Sequence, residues 1–168
     1  IRIQFDGIGY FAYRPMPVEF SLSESKMEAS SREGLLNLGS GYLTFEQLRA
    51  MMSSLPFDIT FVDGDDTVRF FSEGPDRIFV RTRAVIGRKV QNCHPQKSVN
   101  VVNKILADFK AGQRDVADFW LNLGPKMVYI KYIALRDSQK RYIGTLEVTQ
   151  DIAPLRELEG EKRIYDAL

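Results

Sequence analysis

The residues with the most chemistry to offer are neighbours: Cys93 is the only cysteine in the 168-residue chain and His94 the only histidine. Nucleophilic catalysis needs a thiol or hydroxyl within hydrogen-bond reach of a base. Side chains of consecutive residues diverge, so Cys93 and His94 are not expected to form such a couple. A zinc site would have to take its remaining ligands from carboxylates. Asp63, Asp65 and Asp66 crowd one interval, but it is too short for an EF-hand calcium loop and lacks the closing glutamate; the residues read as a hairpin turn. Arg81, Arg83, Arg88 and Lys89 form a basic run. Guanidinium groups match carboxylate and phosphate geometry, although a solvated loop is the plainer reading. An enzyme would need carboxylates clustered in a cavity, and most acids fall in turns or near the ends of the chain. No catalytic residue is assigned, and the chain is read as a non-enzyme.

Composition narrows the function classes. With 23 basic and 22 acidic residues the formal net charge is +1, which argues against a dedicated nucleic-acid binder. No apolar run is long enough to span a bilayer. A single cysteine excludes an intrachain disulfide framework and fits a reducing cytoplasm. Ile1 stands where an initiator methionine is usual, so the chain reads as a fragment with sequence missing upstream.

The elements that must position these residues follow from periodicity and punctuation. Residues 1–43 read as an extended arm and linker, the tail of a missing upstream domain. Ile8 to Pro17 is aromatic and broken by prolines, Ser21 to Ser40 is rich in Ser, Glu and Gly, and Gly39-Ser40-Gly41 reads as a boundary. Residues 44–168 read as one domain with flanking helices. Thr44 opens a capping-box helix with Leu48, Met51, Met52 and Leu55 on its apolar face, stopped by Pro56. Phe57–Val62 and Thr67–Phe71 predict a hairpin, and Ser72–Lys89 short helical turns. Pro95 suits the first turn of a helix carrying Val99, Val102, Ile105, Leu106 and Phe109 up to Gly112. Val116–Leu121, Lys126–Leu135 and Tyr142–Val148 predict three more strands. From Ala153, Leu155, Leu158, Tyr165 and Leu168 predict a short amphipathic outgoing helix. Strands, then helices, then strands imply an α+β fold: a five-stranded antiparallel sheet with helices on one face. Phe71, Ile78, Phe79, Val90, Val102, Leu106, Phe119, Leu121, Val128, Ile130 and Tyr132 are expected between helices and sheet, as a filled core or around a cavity. Of Phe119 and Trp120, adjacent on a strand, one must face the core and one away.

This order of elements resembles the PAS fold. Ile86-Gly87-Arg88 resembles that family's Ile-Gly-Arg turn, His94-Pro95 its His-Pro entry into the long helix, and Gly144–Ile152 its closing strand and Asp-Ile-Thr junction, with Ala153 where Thr is usual. Three stretches, Leu55–Asp63, Gly87–Pro95 and Leu158–Arg163, resemble more closely an uncharacterised prokaryotic family in which a PAS domain follows a hemerythrin-like domain. The resemblance covers roughly residues 42 to 166. It implies an upstream hemerythrin-like partner domain, a homodimer formed through the flanking helices and the sheet face, and a signalling junction at Asp151.

A bound ligand would be expected to meet His94, Asn92, Cys93, Phe79, Val102, Leu106, Phe119, Ile130 and Tyr132. His94 at the mouth of a PAS cavity could ligate haem iron, with Asn92 tuning it; the plainer role for that His-Pro is to cap the helix. Asn92-Cys93 resembles the Asn-Cys of flavin-binding PAS domains, but His94-Pro95-Gln96-Lys97 departs from the sequence that follows it there. The expected function is a sensory or regulatory module that binds a small ligand and signals through flanking helices; the alternative is a ligand-free structural dimerisation module.

Overall fold

The computed structural model describes residues 34–74 and 77–163. The aromatic arm and the first part of the expected linker lie outside the described residues, as do Tyr165 and Leu168. The chain divides into two units, residues 1–45 and 46–168.

In the first unit, β1 (Leu35–Asn37) pairs antiparallel with β2 (Tyr42–Thr44). The linker expected up to residue 43 is therefore a short hairpin in its described part. Its turn is the Gly-Ser-Gly stretch. The Leu38 amide donates to the Gly41 carbonyl at 2.9 Å and the Gly39 amide to Asn37 Oδ1 at 2.9 Å. Gly39 has φ 85°, a left-handed conformation that glycine reaches without strain.

Helix α1 (Phe45–Ser53) leads into the second unit and is tied on its surface by Glu46 and Arg49, 2.6 Å apart. None of its residues is buried, and Met51 on its apolar face stays 55% exposed. β3 (Asp58–Asp63) and β4 (Val68–Phe71) form the expected hairpin, with an irregularity between Phe61 and Val62. Asp63 Oδ1 accepts the amides of Asp65 at 3.0 Å and Thr67 at 2.9 Å, so this acidic interval is turn chemistry. Two 3-10 turns, Arg83–Val85 and Val90–Cys93, precede α2 (Gln96–Lys110). β5 (Val116–Leu123), β6 (Lys126–Arg136) and β7 (Tyr142–Asp151) complete a sheet of order β4-β3-β7-β6-β5, antiparallel throughout. This is the α+β architecture expected from the sequence.

The turn at Ile86-Gly87-Arg88 covers the outer edge of β4. Gly87 N–H donates to the Val68 carbonyl and Val68 N–H to the Arg88 carbonyl, each at 2.9 Å. An edge strand closed in this way offers fewer free amides for aberrant pairing. α2 lies on one face of the sheet through Ile105, Leu106 and Phe109. Leu106 packs with Val62, Val68 and Val90, and Ile105 and Phe109 pack with Ala134.

Two expectations need correction. The outgoing helix α3 is one turn, Ala153–Arg156. Leu158 is 74% exposed, so no burial supports further turns, and a short helix without packing is marginal in water. Phe119 and Leu121, placed in the core by the sequence, are 39% and 36% exposed. They lie on β5, at the edge of the sheet.

Candidate functional site

The face of the sheet that meets α2 carries a polar centre. Along β7, Thr145, Glu147 and Thr149 are buried, whereas Leu146 and Val148 are only half-buried. Strand side chains alternate between faces. In β3 and β6 the partners of Thr149 are Asp58 and Ile130, and those of Glu147 are Thr60 and Tyr132. The pattern of β7 thus turns its polar residues inward, against the usual rule that apolar residues face the core.

Two arginines from the loop after β4 pair with the carboxylates of this face. Arg81 Nη2 lies 2.9 Å from Glu147 Oε1, with only 12% and 11% of the two side chains exposed. Thr60 Oγ1 also donates to Glu147 Oε1, at 3.4 Å. Arg77 Nη2 donates to Thr60 Oγ1 at 3.0 Å and Arg77 Nη1 to the Ser72 carbonyl at 2.7 Å, and its guanidinium lies 5.2 Å from the centre of the Phe71 ring. Asp58 pairs with Arg77 at 3.7 Å and accepts the Ile78 amide at 2.8 Å. Burial pulls the Arg77 guanidinium below its ordinary value, Asp58 opposes that, and the neighbouring Arg81 adds to it. The loop is therefore strapped across the sheet by charge pairs that water cannot easily replace.

Tyr132 faces the same centre. Its phenol is held well above the usual 10.0, first by burial and then by the Glu147 carboxylate, with Arg81 opposing. In a spectrophotometric titration we expect Tyr132 to stay protonated while exposed tyrosines ionise. The sign follows from linkage: a folded-state value raised above the unfolded one gives stability that is complete below about pH 10 and is lost as pH rises beyond it. Tyr132→Phe should remove that alkaline loss, read as urea midpoints between pH 9 and pH 11.

Beside the strap is a small cavity of about 30 Å³, lined among others by His94, Val102, Leu106, Tyr132 and Glu147. It has room for about two water molecules. Ligand pockets usually measure about 300–1,000 Å³, so the residues as folded do not fit haem or flavin. His94 Nδ1 sits 2.9 Å from the Val90 carbonyl oxygen. That oxygen only accepts, so Nδ1–H donates. Pro95 takes the N-cap position of α2 without a side-chain cap bond; His94 therefore staples the turn before the helix and does not cap the helix.

The remaining sequence candidates are scattered. Cys93 packs against the Val62–Val68–Val90–Leu106 cluster, its Sγ 3.7 Å from the Lys89 carbonyl. Asn92 is exposed, and Phe79 uses its carbonyl to accept Arg77 Nε at 3.1 Å. Ile130 is buried on the inner face, while the Phe119 ring lies 6.0 Å from that of Tyr132. Trp120 points the other way and is 62% exposed. The basic run does not assemble. Arg81 turns inward, Arg83 pairs with Glu73 on the surface at 2.9 Å, and Lys89 reaches the Asp65 carbonyl.

Sequence reasoning missed Asp58, Thr60, Arg77, Glu147 and Thr149. The available signal was a polar residue at every second position of the closing strand. Asp151 Oδ1 accepts the Met127 amide at 3.2 Å and the Ala153 amide at 3.0 Å, tying the start of β6 to the start of α3. Among the described residues, no three or more His, Cys, Asp or Glu side chains cluster to hold a metal ion, and no helix is long and apolar enough to cross a membrane.

The family model described as "PAS domain" matches residues 48–153. The chain is similar to the crystal structure of a C-terminal domain from Streptococcus mutans: 36% identity, 76% of this chain and 99% of that chain covered, TM-score 0.70. The PAS domain of Bordetella pertussis BvgS is 20% identical over 67% of this chain and 91% of that one, TM-score 0.49. A sensory box sensor histidine kinase from Vibrio cholerae is 11% identical over 63% of this chain and 90% of that one, TM-score 0.45. No curated protein matches the chain.

Proposed function

This chain belongs to the PAS domain family, and on that premise we propose that it is a sensory or regulatory module that transmits the state of its inner sheet face to its flanking segments and performs no catalysis. The observation that carries the reading is the layout of β7. Glu147, locked to Arg81, and Asp151, locked to the amides of Met127 and Ala153, stand on one face of one strand. A change at the strap would reach the outgoing segment along that strand. A ligand drives such a change only if it prefers one of the two arrangements. The buried carboxylates Asp58 and Glu147 are each paired with an arginine, which suits a structural strap better than proton transfer. We read the module as a homodimer joined through α1 and the outer sheet face, where Met51 and Trp120 are exposed. In the full-length protein it would follow a hemerythrin-like domain.

Hydrogen exchange tests the coupling. In Asp151→Ala the amides of Met127, Ala153 and Arg156 should exchange at least about tenfold faster, while α2 keeps its protection. Unchanged exchange over 152–158 would remove Asp151 from the route. The small size of the inner cavity favours a second reading, a ligand-free dimerisation module. Thermal-shift screening separates the two, because a ligand specific for the folded state raises stability by mass action.

A further inference from the structure

The strap divides the inner face. On the far side from His94 opens a larger cleft of about 550 Å³, between the end of α1, the loop after β4 and the adjoining ends of β6 and β7. Three groups in it are left with unused capacity. Thr149 is 1% exposed, and its Oγ1 is buried with no hydrogen-bond partner. Lys126, at the start of β6, has no ion-pair or hydrogen-bond partner for its ammonium among the described residues. Asp151 spends only Oδ1 on its two backbone bonds.

Their placement is fixed by register. Asp151 stands opposite Val128, so Lys126, two residues earlier on β6, shares its face. Thr149 is two residues before Asp151 on β7, about 7 Å along the strand. Lys126 and Asp151 line one cleft yet form no ion pair with each other. An anion alone would meet the Asp151 and Asp58 carboxylates, and a cation alone would meet Lys126 and Arg77. A ligand bearing both signs meets a partner for each. Phe57 and Ile78 supply an apolar wall.

We propose that this cleft binds a small zwitterion, an α-amino acid with an apolar side chain. Its carboxylate accepts from the Lys126 ammonium and the Thr149 hydroxyl, its ammonium donates to Asp151 Oδ2, and its side chain lies against Phe57 and Ile78. The assignment rests on the sensory reading in one respect only, that the occupant acts on the Asp151 junction.

The test is a heteronuclear NMR titration of the whole chain with L-leucine, compared with 4-methylpentanoate, which lacks the amine, and 3-methylbutylamine, which lacks the carboxylate. L-leucine should shift the amides of Lys126–Met127 and Thr149–Ala153 saturably, and each half-molecule should bind at least about tenfold more weakly. Lys126→Met and Thr149→Val should each weaken L-leucine by about tenfold while spectral dispersion is retained. Should Thr149→Val fail to fold, Lys126→Met carries the test. Absence of saturable shifts at those amides, equal binding of either half-molecule, or unchanged binding by folded Lys126→Met overturns the proposal. If L-leucine fails while Asp151→Ala still accelerates exchange in α3, only this site is lost and the coupling stands.

Discussion

Replacing Glu147 by alanine is expected to lower the unfolding free energy by about 3–5 kcal/mol, the usual cost of stranding one member of a buried ion pair. Glu147 accepts from Arg81 at 2.9 Å and from Thr60 at 3.4 Å, with little of either charged side chain exposed. Without the carboxylate, the Arg81 guanidinium either stays buried and unpaired or swings out and takes its loop with it. Urea denaturation measures the loss. Hydrogen exchange over residues 77–82 distinguishes the two outcomes, since only the second exposes the loop amides. The double variant Glu147→Ala/Arg81→Leu should recover most of the loss, because removing both partners leaves no uncompensated charge. A cost below about 1 kcal/mol for Glu147→Ala, the value of an exposed pair, would show that the strap is not a desolvated interaction.

Gly144→Ala should be comparably damaging for a different reason. Gly144 pairs with Asp63 of β3 and Leu135 of β6 in the middle of the sheet, with φ 155°. A Cβ at that position would overlap the Val62 carbonyl oxygen and the Phe61 ring. Backbone strain costs about 1–3 kcal/mol and forced overpacking about 1–3 kcal/mol more, so a loss of roughly 2–6 kcal/mol is expected. Against a total stability of about 5–15 kcal/mol, much of the chain should fail to accumulate folded. The control is Gly124→Ala, where φ is 58° and no atom lies near the added Cβ. It should cost only the left-handed penalty of about 1–2 kcal/mol. Equal costs for the two variants would mean that the close approach of β3 to Gly144 relaxes freely.

The fold was legible because its signals are local. Alternation in Phe57–Val62 and Tyr142–Val148, the break at Pro56 and the turns at Asp63–Asp66 and Asp137–Lys140 each fix a few residues at a time. Pro95 and Gly112, the latter at φ 69°, bracket α2 as they do in the sequence pattern. The polar centre was not legible, because Leu146 and Val148 offered an equally regular apolar face for burial. Which face of β7 turns toward α2 depends on what the neighbouring strands and the loop present to it. Arg77 and Arg81 made the polar choice viable by bringing charge to Asp58 and Glu147 from 66 residues away in the longer case. His94 is the converse example. Its identity stood out in the sequence, but its role depended on the Val90 carbonyl lying within reach.

By itself, the sequence determined the order and type of the elements from β3 to β7, the antiparallel sheet they form and the helix on one side of it, since periodicity and turn residues act over short range. Only the tertiary structure decided that the inner face holds a charged strap between a cavity of about 30 Å³ and a cleft of about 550 Å³. Burial of a charge is tolerated only where a partner is brought to it, and that partner comes from another part of the chain.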